Sequence, residues 1–594
     1  MKMTRGDSPI DSSKSHGKDL MSQSLNLAGY TFILQILLRV ITFITNALAY
    51  RCVDASILGL VNFRIGLYYS TLVFTARESF RRACLSRGGE LLLSPLVIDI
   101  RSKWRSLLNV MWLTVLVGIL LSFGLLPIWL FVLSSPASDT VNYNLEYQYR
   151  VSCLLYTLSA FLELATEPLW LVCQLGMFLR ARIVLEAIAN VARAVGIIFA
   201  LWFGDGSTHG LYLLACPQLL HGSTLVLGYI LFAIWLTRTS SLDKDHPFTK
   251  IAPKTLQELL PSIHSSFDWS CLVLSWNFFR QGLLKQFLTE GERYLISAFH
   301  LLSFADQGIY DLVNNLGSLA PRLVFNSVEE SCHLLFSQCI QRDVPPKSQS
   351  ERYLREAIKM LNTSLRLLTL IAWVGCVFAQ GYSHLLLYFY GGSRLVTDNP
   401  EAVNLLRIYA LYLVLLAWNG PTEAFLNAAM TTGDVSRHNF RLTAFSFIFL
   451  GAAWLLVPLC GAVGFILANC INISTRVIYS CYFIGGFVDQ VKENRDLSIA
   501  WKKDLQVFSL LHLMLPSKLQ TLLMSVTLVL TLTSEYLLCS VFSLSYIMIH
   551  TAVGVLALLV VVVIILWQEK PTFMAFSGTG FGRIFDGIYR FLPF

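Results

Sequence analysis

Long apolar runs, interrupted by short polar stretches, follow one another along almost the whole 594-residue chain. A helix that crosses a bilayer needs roughly 20 predominantly apolar residues. With that template the sequence predicts an all-α polytopic membrane protein with about fourteen transmembrane helices. The predicted spans lie near residues 28–51, 57–80, 106–133, 149–174, 181–203, 210–236, 277–299, 307–337, 357–388, 402–430, 440–459, 462–486, 512–538 and 541–567.

The basic residues in the short loops test this arrangement, because Lys and Arg in such loops stay on the cytosolic side of the membrane. When the N-terminal tail is placed in the cytosol, every second predicted loop is basic. Arg81 and Arg82 lie in the first such loop, and Lys502 and Lys503 lie in a late one. The alternate loops carry few charges. We therefore expect both termini to be cytosolic.

The longest loop among the spans contains three prolines and divides the chain into two lobes of six helices each. The predicted division is a disordered cytosolic tail at 1–27, an N-terminal lobe at 28–236, a cytosolic linker at 237–268, a C-terminal lobe at 269–486, two extra helices at 487–567 and a cytosolic tail at 568–594. A short internal repeat supports two lobes, as in transporters built from parallel repeats. In it Gly66, Val73, Phe74 and Glu78 recur with identical spacing as Gly317, Val324, Phe325 and Glu329.

The composition excludes several other classes of protein. Hydrophobic residues make up 55% of the chain and charged residues 14%, whereas soluble proteins average about a quarter charged residues. The net charge of +8 is spread over short loops, so we expect no nucleic acid partner. The sequence contains no G-x-x-x-x-G-K-[ST] loop, no H-E-x-x-H motif and no Cys/His cluster at zinc spacing. We expect no cofactor, no metal and no enzymatic activity.

Charged residues inside apolar segments are the candidate functional groups. The stretch 285–331 is apolar enough to cross a bilayer, yet it begins with Lys285, Glu290, Glu292 and Arg293. A charge at the centre of a membrane helix costs about 2.5 to 3.5 kcal/mol on insertion scales, so such residues normally face a polar interior or one another. The sequence therefore predicts a charged cavity within the membrane.

Helical spacing gathers further polar residues onto stripes. Arg64 begins one stripe, Asp311, Asn314 and Asn315 belong to another, and Arg39 stands alone in an apolar run. The functional interpretation is a hydrophilic chamber whose arginines hold an anionic group, because guanidinium groups form bidentate, charge-assisted hydrogen bonds with phosphate. The structural alternative is that Arg and Glu side chains near helix ends only neutralise one another or anchor the helices at the membrane surface.

Several motifs resemble, in order and spacing, the eukaryotic Rft family of endoplasmic reticulum membrane proteins. They are VNFRIGLYYSTLVFTARESFRRACLS, KQFLTEGERY, FADQGIYDLVNNLGSLAPRLVF, YALYLVLLAWNGPTEAF and GFILANCIN. The resemblance extends from about residue 25 to residue 567. That family belongs to the multidrug, oligosaccharidyl-lipid and polysaccharide exporter superfamily, which also contains the bacterial lipid II flippases.

The resemblance implies a flippase for N-glycosylation, which moves the dolichyl-diphosphate-linked oligosaccharide from the cytosolic to the lumenal leaflet of the endoplasmic reticulum. It places the family's cavity arginines at Arg39, Arg64, Arg77, Arg293 and Arg476. The predicted substrate-binding set consists of these five arginines with Lys285, Asn314 and Asn315. Glu290, Glu292 and Asp311 are predicted to serve coupling or charge balance.

Two other functions remain open at this point. A non-transporting accessory protein of the N-glycosylation pathway would keep the chamber without moving lipid. A cation or drug antiporter of the same fold would have a net acidic cavity, whereas the predicted chamber is rich in arginine. The expected partners are the oligosaccharide lipid and the membrane lipids.

Overall fold

The structure is a computed structural model, and its regular secondary structure is entirely helical in the part of the chain that it describes. It describes residues 34, 37–93, 100–133, 143–204, 206–238, 253, 255–262, 266–299, 301–493, 501, 510–538 and 543–570. The all-α class predicted from the apolar runs is confirmed. The tail predicted at 1–27, much of the linker at 237–268 and nearly all of the tail at 568–594 lie outside the described residues.

Contacts group the chain into two compact units, one ending at Gly308 and one beginning at Ile309. The lobe boundaries predicted from loop length stay a prediction. The helices of the first unit are α1 (37–52), α2 (Ala55–Leu58), α3 (Gly66–Leu93), α4 (Ile100–Pro127), α5 (Tyr143–Ala165), α6 (Glu167–Leu175), α7 (Leu179–Phe203), α8 (Gly206–Arg238) and α9 (Trp269–Phe299). A π-helical turn, Gly59–Ile65, joins α2 to α3, and another, Ile128–Val132, ends α4.

Helix α10 (Phe304–Gly317) begins in the first unit and ends in the second. The other helices of the second unit are α11 (Asn326–Cys339), α12 (Glu351–Asp398), α13 (Glu401–Ala429), α14 (Thr432–Cys460), α15 (Ala462–Lys492), α16 (Leu510–Met514), α17 (Lys518–Leu538) and α18 (Leu544–Gln568). A π-helical turn, Pro321–Phe325, leads into α11, and a short 3-10 turn, Pro346–Ser348, precedes α12.

Ten helices in the described residues are long and apolar enough to cross a membrane, by length and composition. They are Ala55–Leu92, Ile100–Val132, Leu179–Phe203, His209–Arg238, Glu351–Asp398, Glu401–Ala429, Gly433–Cys460, Ala462–Lys492, Leu510–Leu538 and Leu544–Gln568. The chain is thus polytopic, but the predicted count of fourteen is not confirmed. The four predicted spans that are not among these ten lie near 28–51, 149–174, 277–299 and 307–337, and their described residues are largely helical.

A short interruption separates α5 from α6 and gives the first unit a broken helix. Pro168 lies in the first turn of α6, where its missing N–H would have no intrahelical acceptor in any case. Thr166 precedes this turn, and its carbonyl accepts the amide of Trp170 at 2.9 Å. The break places Glu167 in the first turn of α6, completely buried against neighbouring helices.

A close crossing of two backbones fixes the start of α10 against the turn that follows α2. A Cβ atom added to Gly59 would lie 2.1 Å from the carbonyl oxygen of Phe304, and one added to Gly308 would lie 2.1 Å from that of Ala55. The hydroxyl of Tyr50 donates to the carbonyl of Gly308 at 3.0 Å. Small residues allow this kind of approach between membrane helices. Glycine is therefore required at both positions.

We expect Gly308→Ala to lower the apparent melting temperature of the detergent-solubilised protein sharply, because its Cβ would meet backbone atoms that cannot rotate away. Overpacking typically costs about 1 to 3 kcal/mol, and occasionally more. Size-exclusion chromatography after heating measures the effect. Gly89→Ala in α3 is the matched control, since a Cβ there meets nothing within 4 Å. Equal melting temperatures for the two variants would contradict the crossing.

Candidate functional site

Arg64 is an almost completely buried charged group of the first unit. It lies in the π-helical turn Gly59–Ile65, and only 1% of its surface is exposed. Its Nε and Nη2 atoms are buried and have no hydrogen-bond acceptor among the described residues. The guanidinium carbon lies 5.6 Å from the ring centre of Tyr149 and 5.4 Å from that of Phe304. Aromatic faces attract the cation without using its N–H groups.

The neighbours of Arg64 are themselves held by hydrogen bonds. The indole of Trp129 donates to the Arg64 carbonyl at 3.1 Å, and the hydroxyl of Tyr149 donates to the Trp129 carbonyl at 3.3 Å. One turn further on, the hydroxyls of Tyr68 and Thr157 lie 2.7 Å apart. These bonds connect the turn to α4 and α5. The aromatic walls around the guanidinium are therefore fixed.

Arg293 approaches the same turn from α9. Its guanidinium carbon lies 5.5 Å from the ring centre of Phe63, and Nη1 lies 3.5 Å from a carboxylate oxygen of Glu290. Glu292 is half-buried, whereas Lys285 is exposed. The geometry thus brings Arg293 and Arg64 to one turn, with Glu290 as a nearby counter-charge.

Arg77 belongs to a separate cluster, about 20 Å further along the helix at 1.5 Å per residue. It forms an ion pair with Glu163 and lies 3.7 Å from Glu167. Arg81 donates two hydrogen bonds of 2.6 and 2.7 Å to the carboxylate of Glu167. Its guanidinium carbon lies 4.0 Å from the ring centre of Trp170. Each of the two carboxylates has its own guanidinium. This cluster is balanced in charge, and it ties α3 to the α5–α6 break.

In the second unit, α10 carries the predicted polar group Asp311, Asn314 and Asn315. Asp311 is 3% exposed and accepts a hydrogen bond of 3.0 Å from the amide of Asn315. The hydroxyl of Tyr409 on α13 donates to Asn314 at 3.0 Å. Tyr390, which is buried, interacts electrostatically with Asp311. The three predicted residues therefore form a polar patch against α12 and α13.

Arg476 on α15 lies in another cluster of the second unit. Its Nη2 donates to both carboxylate oxygens of Glu423, at 2.5 and 2.8 Å. The Asn419 amide donates to the same carboxylate at 2.7 Å, while its own carbonyl oxygen is buried without a donor among the described residues. Sequence reasoning did not place Glu423 in the site. The dipeptide Thr422-Glu423 matches Thr166-Glu167 in the first unit, which is the signal that could have found it.

Two partly buried ion pairs attach the C-terminal helices to the rest of the second unit. Arg366 of α12 binds Glu569 at 2.6 Å and also donates to Gln520, while Arg407 of α13 binds Glu535 at 2.6 Å. These arginines lie outside the predicted set and serve packing. The remaining predicted residue, Arg39 on α1, is exposed. The described residues contain no group of His, Cys, Asp and Glu that could hold a metal ion.

A family model described as Rft protein matches residues 23–578. The chain belongs to the Rft family. A Mus musculus protein named Man(5)GlcNAc(2)-PP-dolichol translocation protein RFT1 is 40% identical over 471 residues, which cover 79% of this chain and 83% of that protein. The protein of the same name from Drosophila melanogaster is 35% identical over 493 residues, covering 79% and 85%.

Solved structures show that the fold of this Rft family member is shared with transporters. A structure titled "Lipid II flippase MurJ, inward closed conformation" has a TM-score of 0.57 at 14% identity, covering 91% of this chain and 99% of that one. An inward-facing multidrug resistance MATE family transporter has a TM-score of 0.51 at 13% identity, covering 76% and 96%. At such identities the likeness concerns the fold alone. The helical fold of this chain is thus similar to the folds of these two structures.

Loss of one carboxylate from the balanced cluster should destabilise this Rft family member. In Glu167→Ala the guanidinium of Arg81 keeps its partly buried position without its partner, and breaking a buried pair costs about 3 to 5 kcal/mol. The melting temperature in detergent measures this loss. Glu90→Ala is the matched control, because its pair with Arg87 is exposed and such pairs contribute at most about 1 kcal/mol. A melting temperature unchanged in Glu167→Ala would contradict a structural role for the cluster.

Proposed function

We propose that this Rft family member is a flippase that moves dolichyl-diphosphate-linked oligosaccharide across the endoplasmic reticulum membrane, from the cytosolic to the lumenal leaflet. The names of the relatives and a fold shared with a lipid flippase support this function. The proposed location is the endoplasmic reticulum membrane, with both termini in the cytosol. The proposed product is a lumenal donor for N-glycosylation.

The observation that carries the proposal is the state of Arg64. Removing a guanidinium from water costs several kcal/mol unless other groups replace the lost hydrogen bonds. At Arg64 the protein supplies aromatic faces but no acceptor for Nε and Nη2 among the described residues. Such donors, held in a fixed direction and unused by the protein, suit an anionic ligand. A diphosphate offers several acceptor oxygens and matches the planar guanidinium fork.

Moving a charged lipid headgroup across the membrane requires a cationic group such as that of Arg64. A diphosphate that carries a glycan cannot enter hydrocarbon unaided, because desolvating its charges is prohibitively expensive. A polar path lined with arginine replaces the lost water, while the polyprenyl chain can stay in lipid. Arg293 lies beside the same turn, and its pair with Glu290 is only partly buried, so an anionic headgroup can compete for it. Asn314 and Asn315 are proposed sugar-binding groups, and Glu290, Glu292 and Asp311 are proposed to balance charge.

A non-transporting accessory protein is the second candidate. The ion pairs that Arg77 forms with Glu163 and Arg476 forms with Glu423 favour it. Both arginines are engaged by carboxylates, and buried salt bridges of this kind can serve specificity of folding rather than ligand binding. The two candidates differ in what Arg64 does. A flippase needs its free donors during translocation, whereas an accessory protein needs only a folded chain.

We expect Arg64→Gln to reduce translocation at least tenfold in vesicles that contain the purified full-length protein and labelled oligosaccharide lipid. Glutamine keeps a polar side chain but removes the cation. A lumen-side probe of the glycan measures the rate. Arg150→Gln is the matched control, since Arg150 pairs with Glu146 on an exposed helix face, and it should translocate as the wild type does.

Wild-type protein that produces no translocation above empty vesicles would refute the flippase. In that case normal glycosylation in cells whose only copy carries Arg64→Gln would favour the accessory function. Melting temperatures of the purified variants show whether each one is folded. A folded, inactive Arg64→Gln with an active Arg150→Gln would support the assignment of Arg64.

Binding can be tested apart from movement. A ligand that binds only the folded state stabilises it by RT ln(1 + [L]/Kd), or about 2.7 kcal/mol at a hundredfold excess over Kd. We expect dolichyl diphosphate to raise the melting temperature of the wild type in nanodiscs more than dolichol does. Arg64→Gln should lose this difference, while Arg150→Gln should keep it. Equal effects of dolichyl diphosphate and dolichol on the wild type would exclude diphosphate recognition.

A further inference from the structure

Glu329 on α11 is a carboxylate without a partner. It is half-buried and forms neither a hydrogen bond nor an ion pair within the described part of the chain. In the sequence repeat it corresponds to Glu78, which is paired with Arg82 at 2.8 Å. The residue that corresponds to Arg82 is His333, which is exposed. The second unit therefore retains the carboxylate of the repeat without its arginine.

The carboxylate of Glu329 lies against α13, next to the turn that carries Glu423. A Cβ atom added to Gly420 would lie 3.2 Å from the Oε2 atom of Glu329. Gly420 and Glu423 are three residues apart and share a helix face. The charges that act on Glu329 are those of Glu423, Arg476 and the exposed Glu330. Arg476 is thus paired with Glu423 and also interacts electrostatically with Glu329.

The charge balance of this cluster differs from that in the first unit, where Glu163 and Glu167 each have an arginine. Here Glu423 takes both hydrogen bonds that Arg476 gives through Nη2. Ionised Glu329 leaves the three groups with one net negative charge. Two neighbouring carboxyl groups that cannot both be neutralised favour a state in which one of them keeps a proton. A proton on Glu329 makes the cluster neutral.

Two buried hydrogen-bonding atoms near the pair of Glu423 and Arg476 have no partner among the described residues. The carbonyl oxygen of Asn419 is buried with no donor, and the residue is 8% exposed. His438 on α14 is 5% exposed, and its Nδ1 is buried with no partner. His438 interacts electrostatically with Glu423 and Arg476 as well as with Arg441. A protonated carboxyl can donate to such acceptors, whereas a carboxylate cannot.

His438 stacks on a residue that lines a cavity of the second unit. Its ring stacks on that of Tyr479, with ring centres 5.8 Å apart, and Arg441 donates to the Tyr479 hydroxyl at 2.6 Å. Tyr479 and Arg441 line a cavity of about 770 Å³ in the second unit. Asp343, Asp434 and Asp489 also line this cavity. His438 thus stacks on a residue that lines this cavity and interacts electrostatically with Glu423 and Arg476.

We propose that Glu329 is a reversible proton-binding site. One proton from water adds to the carboxylate of Glu329, and the same proton leaves when the site opens again. No bond other than O–H forms or breaks. Where the proposed translocation function holds, this step couples movement of the lipid headgroup to protonation.

Difference infrared spectroscopy of the full-length protein in nanodiscs tests the site directly. We expect the wild type to show a carboxylic acid C=O band that appears and disappears with pH. Glu329→Gln should abolish this band, and Glu330→Gln, the exposed neighbour, should leave it unchanged. Glu329→Asp should restore a band at a shifted frequency. A band in Glu329→Asp would show that the loss of the band in Glu329→Gln is not caused by misfolding.

Translocation in vesicles with an imposed pH difference tests the coupling. The wild-type rate should change several-fold with the pH difference, and that dependence should vanish in Glu329→Gln. A band that persists in Glu329→Gln overturns the proton site whether or not the protein translocates lipid. A titrating band that depends on Glu329, in protein that translocates nothing, supports the site and refutes the flippase alone.

Discussion

A guanidinium group inside a membrane protein must recover the hydrogen bonds that it loses to water, and the protein does this in different ways at different sites. At Arg77, Arg81 and Arg476 carboxylates from other helices supply hydrogen bonds, although the Nε of Arg476 is buried without a partner among the described residues. At Arg64 aromatic faces supply attraction but leave N–H groups unused. The first solution fixes helices, because breaking a buried pair is expensive. The arrangement at Arg64 leaves N–H groups that can form hydrogen bonds with a ligand.

The backbone around Arg64 is built to maintain this difference. The π-helical turn Gly59–Ile65 interrupts regular α-helical spacing at the arginine, and such turns often mark functional sites. The close approach of Gly59 to α10 brings the ring of Phe304 over the guanidinium of Arg64. The indole of Trp129 donates to the backbone carbonyl of Arg64 and so fixes its position. A larger residue at Gly59 would displace the ring that covers the cation. Packing and ligand chemistry therefore depend on the same few residues.

Much of the fold followed from the sequence because the bilayer imposes one length on every apolar run. The polytopic helical class was predictable, and the arginines were recognisable from their depth in such runs. The carboxylate partners of the arginines were not predictable from the sequence. Glu423 and Arg476, for example, are 53 residues apart and meet only when their helices pack. The break at Thr166, which turns one predicted span into two helices, depends on the same packing. Local hydropathy carries no information about which helices are neighbours.

The two units contain similar carboxylates but differ in the number of arginines that pair with them. In the first unit Glu78, Glu163 and Glu167 each have an arginine, so a change of protonation would leave a partly buried cation without its partner. In the second unit a proton on Glu329 removes an excess charge and breaks no ion pair. Protonation is therefore tolerable in only one of these two clusters. An anionic headgroup that drew Arg476 away from Glu423 would favour that proton further, because two unshielded carboxylates would then face each other.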